Sequence, residues 1–210
     1  MDDLGVRISV VGVGGAGCNA ISRLTQLGVR SAETIALNTD RLHLKIVSAH
    51  KKHVLGEKIT CGLGAGGFPE VARRAAESDR ENIRRLLDGS ELVFVSAGMG
   101  GGTGTGAAPV VAEIAKDMGA VVVGVVTYPF KLERIRQKTA VWGIQELLRF
   151  TDTLIVIDNN RLIDMVPNLP MDKAFALADE IIARAVSGIS DTIKFDSLIN
   201  IDFADMRTVM

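Results

Sequence analysis

Along this chain, short apolar runs alternate with longer segments whose apolar positions recur every three to four residues, the strand and helix periods in turn. "VRISVVGVG" is the first run and ends in glycine. In "NAISRLTQLG", Ala20, Ile21, Leu24 and Leu27 share one helical face before Gly28 stops it. "TIALNTD" predicts a second strand, and "VLG" and "GLGAGGFPE" lead to a helix opened by Pro69 that runs to "LLDG". "ELVFVSAG" and "AVVVGVVTYP" predict buried strands on either side of a helix, "AAPVVAEIAKDMG", stopped by Gly119. "LERIRQKTAVWGIQELLRF" predicts another helix and "DTLIVIDNN" a fifth strand. Near-continuous apolar strands between amphipathic helices belong to a mostly parallel sheet covered on both faces, the doubly wound, Rossmann-like α/β class.

The pattern changes at residue 171. "MDKAFALADEIIARAVSGISDTIKF" carries Phe175, Ala178, Ile182, Ala185, Val186 and Ile189 as one stripe, which predicts a helix from Met171 to Lys194, about 36 Å long. No linker signal precedes about residue 170. The expected organisation is one α/β unit over 1–170, a long helix over 171–195, and an acidic loop with the start of another helix over 196–210. The chain stops as that helix would begin, so a truncated chain is expected.

Composition narrows the function. With 24 Lys and Arg against 25 Asp and Glu, net charge −1 and no long basic block, the chain lacks the footprint of a nucleic-acid binder. Its N-terminus has no signal-peptide pattern and no apolar run reaches membrane-spanning length, so a cytoplasmic chain without direct membrane insertion is expected. Cys18 and Cys61 are too few for a disulfide framework. His43, His50 and His53 include an H-x-x-H pair, but "SAHKKHVLG" reads as a solvated basic loop and no metal site is expected.

The chemistry lies in two glycine loops. "GVGGAG" places Gly12, Gly14 and Gly17 in a G-x-G-x-x-G match between strand and helix, with Asp40 ending the next strand. Alone this fits a dinucleotide, and an NAD-dependent oxidoreductase is the alternative reading; a tight turn without ligand is the bland one. "VSAGMGGGTGTGAAPVV" is a second glycine loop, again between strand and helix, with Thr103 and Thr105 inside it. Two helix N-termini aimed at one crevice suit a di- or triphosphate, because backbone N–H groups and positive helix ends favour several negative charges. The G-x-x-x-x-G-K-[ST] loop is absent.

"GGGTGTGAAPVV" resembles the signature of the tubulin/FtsZ superfamily. "GVGGAGCNA", "ALNTD", "GLGAGG", "TYPF", "AFALADE" and "LINIDFADMRTVM" are similar, in the same order, to segments of its prokaryotic cell-division GTPases. The resemblance implies GTP and GDP binding, GTP hydrolysis with Mg2+ held mainly by phosphates and water, and head-to-tail self-assembly into protofilaments of a mid-cell division ring. It implies membrane-tethering and division proteins as partners of the full-length protein. It also implies a C-terminal domain that this chain lacks, so turnover by the chain alone is expected to be weak.

By this resemblance Gly15, Ala16, Gly17, Cys18 and Asn19 form the first nucleotide loop, Gly102, Thr103 and Gly104 hold phosphate, and Gly64, Ala65, Gly66 and Gly67 lie near the γ-phosphate, with Asn38 and Asp40 beside them. Cys18 is expected there for its size rather than its reactivity. Asn159 contacts the nucleoside and Glu133 the ribose; where the family has arginine the chain has Gln137, with Arg136 as the alternative. Asp179 falls on the apolar stripe of the long helix, where its carboxylate needs either guanine's N1–H and N2–H2 donors or an internal salt bridge. Asn200, Asp202 and Asp205 lie about twenty helical residues beyond it, roughly 30 Å away, so as catalytic groups they would act on a neighbour's nucleotide. A solvated helix-capping loop would account for one acidic residue well and for three polar groups less well.

Overall fold

Six parallel strands form one sheet in the computed structural model, which describes residues 6–29, 31–165 and 170–194. They are β1 (Ile8–Val13), β2 (Glu33–Asn38), β3 (Lys51–Val54), β4 (Leu92–Gly98), β5 (Val121–Tyr128) and β6 (Thr153–Asp158), in the order β3-β2-β1-β4-β5-β6. The sheet is of the doubly wound class that the pattern predicts. The helices are α1 (Gly14–Gln26), α2 (Arg41–Ile46), α3 (Glu57–Thr60), α4 (Pro69–Ser78), α5 (Arg80–Leu86), α6 (Thr103–Asp117), α7 (Arg134–Leu148), α8 (Asn159–Met165) and α9 (Met171–Lys194).

Two features differ from the expectation. The stretch expected as a solvated basic loop contains β3, which pairs with β2 alone. An edge strand needs no apolar run, and charged residues there discourage further pairing. Lys51 reaches Glu33 at 2.9 Å. The helix expected from Pro69 to "LLDG" breaks at Asp79, whose carboxylate accepts from the Gly56 N–H at 2.6 Å and the Asn82 amide at 3.0 Å.

Strand alternation divides the core. Val93, Val95 and Ala97 of β4 point to the face covered by α4, α5, α6 and α7, while Leu92 and Phe94 point to the face covered by α1 and α9. Ile182, Ala183 and Val186 of α9 join Ile21 and Leu24 of α1 against Val123 and Val125 of β5. Each fully buried large side chain contributes about 1.5–3 kcal/mol, so truncating Phe94 to alanine would cost about 3–5 kcal/mol. Near its C-terminal end α9 is tied down again, where Ser31 donates to Asp191 at 2.7 Å and Ser190 donates to Ser31 at 2.9 Å.

Candidate functional site

All carboxyl strand ends lie along one edge, and the chain order reverses between β1 and β4. In an open α/β sheet that is where a crevice forms. The glycine loops follow these two neighbouring strands, which end in near register, with the last residue of β1, Val13, opposite Ala97. α1 starts at Gly14 and α6 at Thr103, and neither has a side-chain cap or an acidic residue in its first turn. Their first N–H groups and positive helix ends are left for another acceptor.

The glycines let the two loops close on one another. A Cβ on Gly14, where φ is +74°, would lie 2.7 Å from the Gly104 nitrogen; one on Gly104 would lie 2.5 Å from the Gly98 carbonyl oxygen. Gly15 and Gly101 have open space at the same point, on the cleft side. Thr105 accepts from the Gly100 N–H at 2.8 Å, and the Thr103 and Thr39 hydroxyls are hydrogen-bonded at 2.7 Å.

A cleft of about 290 Å³ brings together Gly15, Ala16, Gly102, Thr103, Gly104, Glu133, Asn159 and Asp179 of the expected residues. Asn159 is buried and its Oδ1 has no hydrogen-bond partner among the described residues. Among the described residues no cation pairs with Asp179, and burial pushes its carboxyl up to about 7. Phe175, one turn earlier on α9, is 41% exposed and stacks edge-on against Phe130 at 5.1 Å, leaving an aromatic face beside Asp179. The sequence reading missed Phe175 as a site residue because its helical spacing marks it as core. Met99, Thr127, Pro129 and Ala178 also line the cleft; the last three fall in the quoted segments "TYPF" and "AFALADE" but were not named as site residues.

Several expected residues stand elsewhere. Arg136 lines the cleft, 2.7 Å from Glu133, and Gln137 does not. Arg136, three residues after Glu133, reaches back over the same turn to pair with it, whereas Gln137 is not among the cleft-lining residues. Cys18 is fully buried with its thiol directed at the carbonyls of Gly12 and Leu37, each at 3.5 Å, and burial raises it to about 12. Its side chain therefore faces the core and is inert. Gly17 packs against the Ser96 carbonyl. The loop from Gly64 through Ala65 and Gly66 to Gly67 buttresses Gly102 and is not among the cleft-lining residues.

Asn38 and Asp40 are engaged locally. Asp40 caps α2 by accepting from the His43 N–H at 3.0 Å, and its own N–H donates to Asn38 Oδ1 at 3.2 Å. His43 lies 3.1 Å from the Asn38 amide and 3.0 Å from Asn19 Oδ1. The three histidines serve separate contacts: His50 Nδ1 accepts from the Thr34 N–H at 3.0 Å, and His53 sits 3.2 Å from Asp79. Asn19 lines a neighbouring groove of about 690 Å³ between α1, the segment 46–48 and α9, which meets the cleft at Asp179. That groove is larger, but only the smaller cleft lies over both glycine loops. Asn200, Asp202 and Asp205 lie outside the described residues.

A family model described as "Tubulin/FtsZ family, GTPase domain" matches residues 7–167. The chain is 60% identical over 210 residues to "Cell division protein FtsZ 2" of Methanocaldococcus jannaschii, covering 100% of this chain and 55% of the relative. It is 55% identical over 204 residues to the protein of that name from Haloferax volcanii, covering 97% and 51%. The solved structure "FtsZ dimer, empty (M. jannaschii)" superposes with a TM-score of 0.95 at 48% identity, covering 99% of this chain and 61% of that one. CetZ2 from Haloferax volcanii, described as a GTPgS-bound protofilament, shares the fold at a TM-score of 0.80 and 24% identity, covering 97% and 62%. The chain spans about half the length of the curated relatives it matches. With sequence, fold and paired glycine loops in agreement, the chain belongs to the Tubulin/FtsZ family and carries its GTPase domain at residues 7–167.

Proposed function

We propose that this chain is the nucleotide-binding part of a cytoskeletal GTPase of cell division, which binds GTP and GDP in the 290 Å³ cleft and assembles head to tail. The observation that carries the reading is the meeting of two uncapped helix N-termini at Gly14 and Gly104, in a cleft that also holds the unpaired Asp179. The first-turn amides of α1 and α6 take the phosphates. Glu133 and Arg136 flank the sugar, and Asn159, Asp179 and Phe175 take the base. Guanine's N1–H and N2–H2 suit one carboxylate, and adenine has no such pair.

The glycine end of the cleft has no lining carboxylate, which fits Mg2+ held mainly by phosphate oxygens and water, where it supplies charge neutralisation. Residues 1–170 serve as the nucleotide-binding unit, and 171–195 as the helix joining it to 196–210. Asn200, Asp202 and Asp205 of one copy reach the neighbour's nucleotide, where the carboxylates orient the attacking water towards the γ-phosphate. Support for a second copy comes from Leu132 and Ile135, next in sequence to the cleft-lining Glu133 and Arg136 and 80% and 90% exposed. Scattered apolar residues are ordinary, but exposed ones beside cleft residues suit an interface. The solved relatives described as a dimer and a protofilament support the same reading. Among the described residues no helix is long and apolar enough to cross a membrane. In this reading tethering and division proteins attach the mid-cell ring.

Asp202→Ala tests the shared site. Turnover should vanish while GTP affinity stays, and a mixture with a Gly104→Ala variant should recover activity. An affinity loss of about tenfold would mean that the loop serves its own nucleotide. The dinucleotide alternative predicts NADH binding without GTP binding, and that result would overturn the reading. Against it, Asp40, which a dinucleotide site would turn to a ribose hydroxyl, caps α2.

A further inference from the structure

The contacts around His43 settle the orientation of four polar groups in succession. The Asp40 backbone N–H can only donate, so the Asn38 oxygen at 3.2 Å accepts and the Asn38 NH2 is the group facing His43. An amide NH2 can only donate, so His43 Nδ1 accepts from it at 3.1 Å, and the neutral ring carries its proton on Nε2. Nε2–H then donates to Asn19 Oδ1 at 3.0 Å. The Asn19 NH2 is left over. It has no partner among the described residues, and Asn19 stands in the groove that Asp179 also lines.

We propose that His43 is a positioning residue for base selection, holding the Asn19 amide with its NH2 presented beside Asp179. The inference rests on the guanine-nucleotide reading above. The guanine edge carries the acceptor O6 next to the donors N1–H and N2–H2; Asp179 meets the donors and the fixed Asn19 NH2 meets O6. Adenine sets an amino group where O6 would be, so two donors face each other there. Without His43 the Asn19 amide rotates freely and presents oxygen as readily as nitrogen. The relay therefore works by excluding the wrong orientation as much as by supplying the right one.

The test compares binding of GTP with that of 2-aminopurine riboside triphosphate, which keeps N2–H2 and lacks both O6 and the N1 proton; the N1–H loss faces Asp179 in every variant, so the change in preference between variants reads O6 alone. Wild type should prefer GTP. His43→Ala should reduce that preference about fivefold, the worth of one neutral hydrogen bond. His43→Gln, whose amide NH2 reaches the Nε2 position, should retain it. In an Asn19→Ala background His43→Ala should change nothing further. If the alanine variant folds poorly, His43→Leu fills the space without a donor and should behave as His43→Ala does. Equal loss for both nucleotides in the His43 variants, or an undiminished effect in the Asn19→Ala background, would overturn the relay while leaving guanine binding intact. Absence of GTP binding by wild type would instead overturn the guanine reading and the relay with it.

Discussion

Gly14 and Gly104 meet backbone to backbone, so the spacing of the two helix N-termini is set at a contact without room for a methyl group. A Cβ on Gly14 would enter a positive-φ position and stand 2.7 Å from a backbone nitrogen that cannot move without its helix. Gly14→Ala should therefore cost about 2–4 kcal/mol, combining backbone strain with overpacking. It should also weaken GTP binding more than about tenfold. Gly15→Ala is the control: its Cβ meets open space, so denaturant midpoints should hold while nucleotide titration shows a loss.

Asp179 makes the empty protein and the nucleotide complex respond to pH in opposite directions. Burial raises its carboxyl from 3.8 to about 7, so between those values the folded form binds more protons than the unfolded chain. The stability contributed by this group is full at low pH and is lost as pH rises through about 7. Arg23, which lines the adjoining groove, pairs with Glu180 at 3.1 Å instead. Guanine needs the ionised form, so GTP affinity should fall about tenfold per unit below the carboxyl's value. Titrations at about pH 6 and about pH 8 should show this in wild type, and Asp179→Asn should abolish the dependence while binding about ten- to a hundredfold more weakly.

The sheet was legible because its central strands are buried on both faces and read as unbroken apolar runs. β3 was hidden because an edge strand paired on one side can be "KKHV". The paired glycine loops were legible for a related reason: glycines required by close backbone contact are rare enough to stand out. At the other end of the cleft Asp179, a charge on an apolar stripe, could be argued from the residues alone, whereas Asn159 and Glu133 came only from the resemblance. Phe175 and Thr127 look like any core residue until the fold turns them towards a cavity. The His43 relay joins residues from three elements, and no spacing rule links them.

Arg136 and Gln137 are adjacent in sequence and unequal in position. Arg136 lines the cleft and pairs with Glu133, so its loss removes a cation from the sugar and phosphate rim and frees a carboxylate there. Arg136→Ala should weaken GTP binding about three- to tenfold, with a smaller effect at high salt. Gln137→Ala should leave it unchanged. A larger effect at Gln137 would restore the assignment made from the resemblance.

Asn159 and Asn160 are neighbours that separate function from stability. Asn160 is a structural residue: its Oδ1 accepts from the Lys131 N–H at 2.7 Å, its amide donates to the Pro129 carbonyl at 3.4 Å, and both contacts anchor the loop before α7. Asn160→Ala should cost about 1–2 kcal/mol with a modest effect on binding. Asn159 Oδ1 is buried and unpartnered, which destabilises the empty protein, so Asn159→Ala should leave stability within about 1 kcal/mol of wild type or raise it. Its GTP affinity should nevertheless fall about five- to tenfold, because the nucleotide supplies the missing donor. Thermal denaturation and nucleotide titration on the two variants should give opposite rankings. If Asn159→Ala is the less stable and the better binder, the acceptor belongs to the scaffold and the cleft has lost one of its base contacts.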